Sequence, residues 1–240
     1  MPLNETQNRL IAENTIDFSN LKALFINTTL TPTERGPSHT EDLMRDSMEI
    51  MERCGVAVEY LRAADFDIAV GIYPDMREQG AAKDAWPDVL WPKVQAADIL
   101  VLGSPIWLGE ESSICRIIIE RLYAHSGQTV DDQFVFFGKT GGAIITGNED
   151  GIKHVAKTIL YSLQHIGCTI PPQADTGWIG DAGPGPSYGD TLEDGKHVGY
   201  DNSYTRRTLT FMSFNLMHLA KMMRDNGGIP AYGNQVSHWQ

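Results

Sequence analysis

An α/β fold built on a doubly wound parallel sheet is the architecture that this 240-residue sequence predicts. Three observations carry it. Apolar runs such as Ile99-Leu100-Val101-Leu102 are continuous, as in parallel strands buried on both faces. The clearest of them end in loops rich in Gly, Ser, Thr or Asn, and those loops open into segments with helical apolar spacing. Strand and helix patterns then alternate along the chain without an internal repeat.

Taken in order, residues 21–27 (LKALFIN) read as the first strand, and the polar segment after it leads into a helix over about residues 40–53. Ser38, His39 and Thr40 fall at the start of that helix, where free backbone N–H groups and the helix dipole suit a phosphate and hydroxyls add donors without charge. That pattern favours a phosphate monoester held mainly by neutral donors. Residues 56–61 read as the second strand, 64–85 as a long mixed connection, and part of 88–97 as a helix whose start Pro87 and Pro92 blur. The third strand begins at Ile99 and is expected to stop at Gly103-Ser104-Pro105. Trp107 and Gly109 follow, and Ser112 or Ser113 caps a helix bearing Ile114, Ile117, Ile118 and Leu122 on one face. Residues 141–151 (GGAIITGNEDG) form a fourth strand and its loop, with a helix over about 152–166. A fifth strand, interrupted by Pro171-Pro172, is expected over 168–170 and 174–178. The Gly/Pro-rich stretch 177–202 reads as an ordered loop or flap carrying Trp178 and Tyr188, and 205–224 as a helix ended by Gly227-Gly228.

Composition narrows the function classes. A net charge of −12 argues against a nucleic-acid surface, since Lys and Arg supply most affinity for phosphate backbones. No run of about 18 apolar residues offers a membrane span, and residues 1–20 are polar and acidic where a signal peptide would be basic and apolar. A soluble cytoplasmic protein without nucleic-acid or membrane partners is the expectation. Cys54, Cys115 and Cys168 lie far apart with no C-x-x-C pair, which disfavours an iron–sulfur or zinc site, and no metal ligand set is evident. Neither G-x-x-x-x-G-K-[ST] nor Cys-x5-Arg occurs, so P-loop and phosphatase readings are weak.

At NTTLTPTERGPSHT (residues 27–40), GSPIWLG (103–109) and TGNEDG (146–151) the chain resembles the flavodoxin-like flavoproteins, specifically the NADPH-dependent FMN reductase and quinone reductase group. The resemblance covers residues 21–180 and extends through GPGPSYGD to the C-terminal helix. Against the group's common Ser-Pro-Arg-x-x-Gly-Asn-Thr pattern, Thr28 or Thr29 stands for the early Ser and Ser38-His39-Thr40 for Gly-Asn-Thr, across a longer loop.

The resemblance implies a five-stranded parallel sheet of order 2-1-3-4-5. Residues 1–20 would be an N-terminal extension, 21–180 the FMN-binding domain, and 181–240 a loop and helix extension of that domain. It implies FMN as cofactor, NAD(P)H as hydride donor, a quinone, flavin or other small-molecule electron acceptor as partner, and a homodimer or homotetramer. The FMN-binding residues it implies are Thr28, Thr29, Ser38, His39 and Thr40 in the first loop. Ser104, Pro105, Ile106, Trp107, Leu108 and Gly109 follow in the second, and Thr146, Gly147, Asn148, Glu149 and Gly151 in the third. No side-chain acid or base is required, because the cofactor carries the chemistry. Alternatives remain at several positions: Trp107 as flavin contact or core anchor, Gly109 as close-approach or ordinary turn glycine, Asn148 and Glu149 as ring-edge groups or helix caps, His39 as phosphate ligand or solvent-facing. A flavodoxin-like electron carrier, or an FMN-binding regulatory module, is the competing function. The flap and the added helix favour the enzyme.

Overall fold

The computed structural model describes residues 3–183 and 185–239. Its elements run in the order α1 (Glu5–Glu13), β1 (Lys22–Asn27), α2 (His39–Arg53), β2 (Ala57–Arg62), α3 (Trp91–Ala96), β3 (Ile99–Trp107), β4 (Glu110–Glu111), α4 (Ser113–Tyr123), β5 (Thr129–Val130), β6 (Gln133–Phe134), β7 (Thr140–Gly147), α5 (Ile152–Ile166), β8 (Asp175–Ile179) and α6 (Ser203–Asp225). Five strands pair in parallel in the order β2-β1-β3-β7-β8. Numbered as parallel strands along the chain this is 2-1-3-4-5, the flavodoxin-like doubly wound order. The short β4 adds an antiparallel pairing at the end of β3.

The continuous apolar runs are explained by burial on both faces. Along β3, Leu100 and Leu102 face one helical layer with Ile118 and Leu122 of α4 and Ile159 and Leu163 of α5. Ile99 and Val101 face the other, with Leu43 and Met44 of α2 and Leu209, Met212 and Leu216 of α6.

Several expectations need correction. Strand β3 does not stop at Gly103: it runs on to Trp107, with Gly103, Ser104 and Pro105 paired to Ile144, Ile145 and Thr146 of β7. Pro105 is tolerated because β1 has already left that flank of the strand, its last register pair being Asn27 with Gly103. Gly103 answers to close packing rather than to a turn, since a Cβ there would lie 2.4 Å from the Met44 sulfur of α2. The fifth strand begins only at Asp175. Ahead of it Thr169 makes an isolated bridge to Thr140, and Pro171-Pro172 supply no ladder donors. Two elements had no strong periodic signal. Helix α1 starts on an Asn4–Gln7 capping box, and its buried Gln7 donates to Thr210 of α6 at 3.1 Å. The β5–β6 hairpin turns through Asp131 and Asp132, both at positive φ (50° and 61°), as a two-residue hairpin turn requires.

The long connection between β2 and α3 hangs on a fully buried ion pair. Arg121 of α4 meets Asp84 at 2.7 Å and also donates to the carbonyls of Ala69 and Pro74, while Asp84 accepts the Met76 and Trp86 N–H groups. Replacing Asp84 with Ala leaves a guanidinium in the interior without its counter-charge and is expected to cost about 3–5 kcal/mol of unfolding free energy. Urea denaturation measures it, and a loss under about 1 kcal/mol would mean that the pair does not hold this connection.

Candidate functional site

The C-terminal ends of β1, β3 and β7 surround a cleft of about 590 Å³. This is the side on which open α/β sheets bind ligands. Its floor begins with the start of α2. Ser38 is the N-cap: its Oγ accepts from the Glu41 N–H at 3.2 Å and from Asn27 Nδ2 at 2.9 Å, so both lone pairs are engaged and its own proton remains to be donated. The N–H groups of His39 and Thr40, in the first turn, have no intrahelical carbonyl to reach. Thr40 is tied across the cleft floor to Thr146 of β7, hydroxyl to hydroxyl, at 2.7 Å.

Behind this turn lies a buried polar network that fixes the first loop. Asn27, fully buried at the end of β1, accepts from the Thr29 N–H at 3.0 Å and donates to Ser38 and to the Tyr60 hydroxyl. Tyr60 donates to Glu41 at 2.6 Å, and Arg62 pairs with the same carboxylate oxygen. The other arm of Arg62 reaches the carbonyls of Thr31 (3.3 Å) and Gly36 (2.8 Å), pinning both ends of the loop between β1 and α2. Burial alone would raise the Glu41 pKa, but the hydrogen bonds from Tyr60 and Arg62 and the charges of Arg45 and Arg62 hold it below its ordinary value. Tyr60 is pushed up to about 12, first by burial and then by its bond to Glu41. Neither residue at the centre of this network carries a motif; the polar alternation of β2 is the only sequence signal.

Two further walls complete the cleft. One is the strip Pro105-Ile106-Trp107, with Trp107 55 % exposed, so the core-anchor alternative for this residue does not hold. The other is the flap, which the sequence marked as an ordered loop or flap carrying Trp178 and Tyr188. Gly183, Gly185, Ser187 and Tyr188 line the cleft, while the Tyr188 ring is buried against Trp178 and Tyr200. The flap hangs on two cleft side chains. Asn148 donates to the Gly185 and Pro186 carbonyls at 2.9 and 3.0 Å, and His39 Nδ1 donates to the Tyr188 carbonyl at 2.8 Å. That bond fixes the His39 tautomer and leaves Nε2 available. The capping alternative for Asn148 and Glu149 is likewise excluded, since α5 is capped by Gly151 without any side-chain bond and Glu149 instead accepts the Leu108 N–H at 2.6 Å.

Of the residues expected to bind ligand, Thr29, Ser38, His39, Thr40, Pro105, Ile106, Trp107, Thr146, Gly147, Asn148 and Glu149 line this one cleft. Thr28 and Ser104 stand behind it: Thr28 bonds to the Gly103 carbonyl, and Ser104 accepts the Ser112 N–H at the start of α4. Leu108 points to solvent, and Gly109 packs on Gly151, where a Cβ would come within 2.9 Å of the Gly109 carbonyl oxygen. Leu30, Thr31, Pro37 and the flap residues are the lining that motif reading missed. Among the described lining residues there is no Lys or Arg, and His39 and Glu149 supply its one imidazole and its one carboxylate. Cys54, Cys115 and Cys168 are all buried, with Cys115 and Cys168 pushed up to about 12 by burial, so no reactive thiolate serves the cleft. No metal-ligand cluster occurs among the described residues.

A family model described as NADPH-dependent FMN reductase matches residues 24–177, which span β1 to β8 and all three cleft loops. The chain belongs to that family. It is 36 % identical over 212 residues to the 8-demethyl-8-aminoriboflavin-5'-phosphate synthase of Streptomyces davaonensis, covering 85 % of this chain and 79 % of that protein. The solved structure of RosB with a bound 8-demethyl-8-formylriboflavin-5'-phosphate intermediate superposes with a TM-score of 0.75 at 36 % identity, over 85 % of this chain and 81 % of that one. A 210-residue match at 55 % identity, over 86 % of this chain, is to a protein of Mycobacterium bovis named divalent metal cation transporter MntH, of whose length the chain spans only 30 %. Among the described residues no helix is long and apolar enough to cross a membrane.

The lowered Glu41 pKa sets a pH dependence. The stabilisation it brings is fully present above the unfolded carboxylate value of 4.5 and is lost as pH falls through the lower folded value. Glu41→Gln should therefore flatten the acid limb of stability against pH between about pH 6 and pH 3. Chemical denaturation across that range checks it, and an unaltered acid slope would remove Glu41 from this role.

Proposed function

We propose that the protein is an FMN-dependent NAD(P)H oxidoreductase that passes electrons to a quinone, a flavin or another small acceptor. The observation that carries this reading is the pairing, within one cleft, of an open helix start and a half-exposed aromatic wall. The His39 and Thr40 N–H groups and the Ser38 hydroxyl suit a phosphate monoester through neutral donors and the helix dipole. Pro105, Ile106 and Trp107 offer a flat apolar surface for a ring system. The distance between them is spanned by Thr29, Thr146 and the flap, which forms one side of the cleft. FMN bound here would supply the hydride and electron chemistry that no side chain of the cleft offers. The chain's own part is binding and orientation.

A second reading follows from the 36 % identity to a synthase whose name and solved complex concern riboflavin 5'-phosphate derivatives. In it the flavin phosphate is the substrate, altered and released. The two readings share the cleft and differ in what happens to the flavin.

FMN is expected to bind at least about a hundredfold more tightly than riboflavin, because two charge-assisted bonds to phosphate are each worth roughly 1.5–3 kcal/mol. Fluorescence titration with both ligands checks this, and equal affinities would defeat the phosphate assignment. Anaerobic mixing with NADH and with NADPH should then bleach the bound flavin, and mass spectrometry of the flavin recovered after turnover should find it unchanged. An altered flavin mass would favour the synthase-like reading. Absence of bleaching by either nucleotide, with electron exchange through a reductase, would favour a carrier.

A further inference from the structure

The Trp107 wall ends in a two-residue hairpin turn, Leu108-Gly109, closed by the antiparallel pairs Trp107–Glu110 and Ile106–Glu111 of β3 with β4. Leu108 lies at φ +55°, a left-handed conformation unfavourable for a residue with a Cβ, and is 92 % exposed, so no apolar burial compensates. Gly109 follows at φ +79°. Beyond its own ladder, the turn is anchored from the other side of the cleft, from the loop between β7 and α5. Glu149 Oε1 accepts the Leu108 N–H at 2.6 Å, a charge-assisted bond at the strained residue itself. The Gly109 backbone sits directly on Gly151, and Glu110 meets His154 of α5 at 2.9 Å beyond it. Of these contacts only the Glu149 carboxylate both lines the cleft and bonds to the strained peptide.

We infer that Glu149 is a positioning residue for the ring-binding wall: its carboxylate anchors the tip of the left-handed hairpin turn at residues 108–109 to the opposite lip of the cleft, and so holds the Trp107 indole where it faces the cleft. The inference rests on the flavin reading above only for what the wall receives. The anchor itself belongs to the ligand-free protein. Glu149 thus acts through Leu108 and Trp107 rather than by touching a reacting atom. Because Glu149 precedes α5 without capping it, its substitution leaves the end of that helix as it is.

The test uses the full chain with Glu149→Ala, Glu149→Gln and the double variant Glu149→Ala/Leu108→Gly. In ligand-free protein, hydrogen exchange at the Leu108 amide should accelerate about tenfold or more in Glu149→Ala, whereas Glu149→Gln, which keeps an acceptor oxygen, should stay within about threefold of the parent. FMN affinity read by fluorescence should fall about tenfold in Glu149→Ala and be largely preserved in Glu149→Gln. It should recover in the double variant, because glycine adopts the left-handed turn without strain. Unchanged Leu108 exchange in Glu149→Ala overturns the inference whatever happens to flavin. So does a double variant that binds FMN as poorly as Glu149→Ala, since Glu149 would then act through its own contact with the ligand. If the parent protein binds no FMN, the flavin reading fails, and the Leu108 exchange comparison alone still decides whether Glu149 holds the turn.

Discussion

The Glu41 carboxylate, buried at the start of α2 and shared by Tyr60 and Arg62, is the interaction on which the site depends. A buried charge is tolerated only when its partners saturate it, and here saturation has a structural consequence. The guanidinium that neutralises Glu41 through Nη2 turns its Nη1 to the Thr31 and Gly36 carbonyls, so the loop between β1 and α2 is held without placing a cation in the cleft. Asn27 extends the network to Ser38 and Thr29. At the helix start the Ser38 hydroxyl takes the Glu41 N–H, and the His39 and Thr40 N–H groups stay open. A protein of net charge −12 can in this way offer an anion a set of donors built from backbone and hydroxyl groups.

The second constraint is how near the layers approach. Thr40 and Thr146 join α2 to β7 at 2.7 Å, and Gly103 lets α2 lie so close to β3 that any side chain there would strike Met44. Three strand ends and one helix start thus share a narrow floor. The same economy appears at the lip, where Gly109 and Gly151 meet backbone to backbone. Gly109 and Gly151 leave room for each other's main chain, and both lie in loops that the family model spans.

The flap adds a third wall by a different device. Gly-rich backbone crosses the cleft mouth, but the segment is anchored by burying Tyr188 between Trp178 and Tyr200 and by two bonds from Asn148 and one from His39. Both latching side chains also line the cleft. Anything that binds there competes for, or adds to, the groups that hold the flap in place. A segment with irregular backbone is thereby tied to the state of the site beneath it.

The sequence by itself determined the parallel α/β sheet, its five-strand order through resemblance, and the three loops that meet at the strand ends, because continuous apolar runs and capped amphipathic helices are local signals that survive without knowledge of neighbours. It also carried most of the cleft lining, from Ser38 to Glu149. Other features had no local cause to read. Pro105 looked like a strand end, yet β3 continues past it because β1 had already departed on that side. Thr28 and Ser104 looked like ligand donors but spend their hydroxyls on Gly103 and on the start of α4. Arg62, Tyr60 and Glu41 come together across 21 residues of sequence, and Asn148 meets the flap 37 residues further on. Hydrogen-bonding groups are satisfied by whichever partner the packed chain brings within reach, so only the tertiary structure could decide which polar residues face the cleft and which hold it in shape.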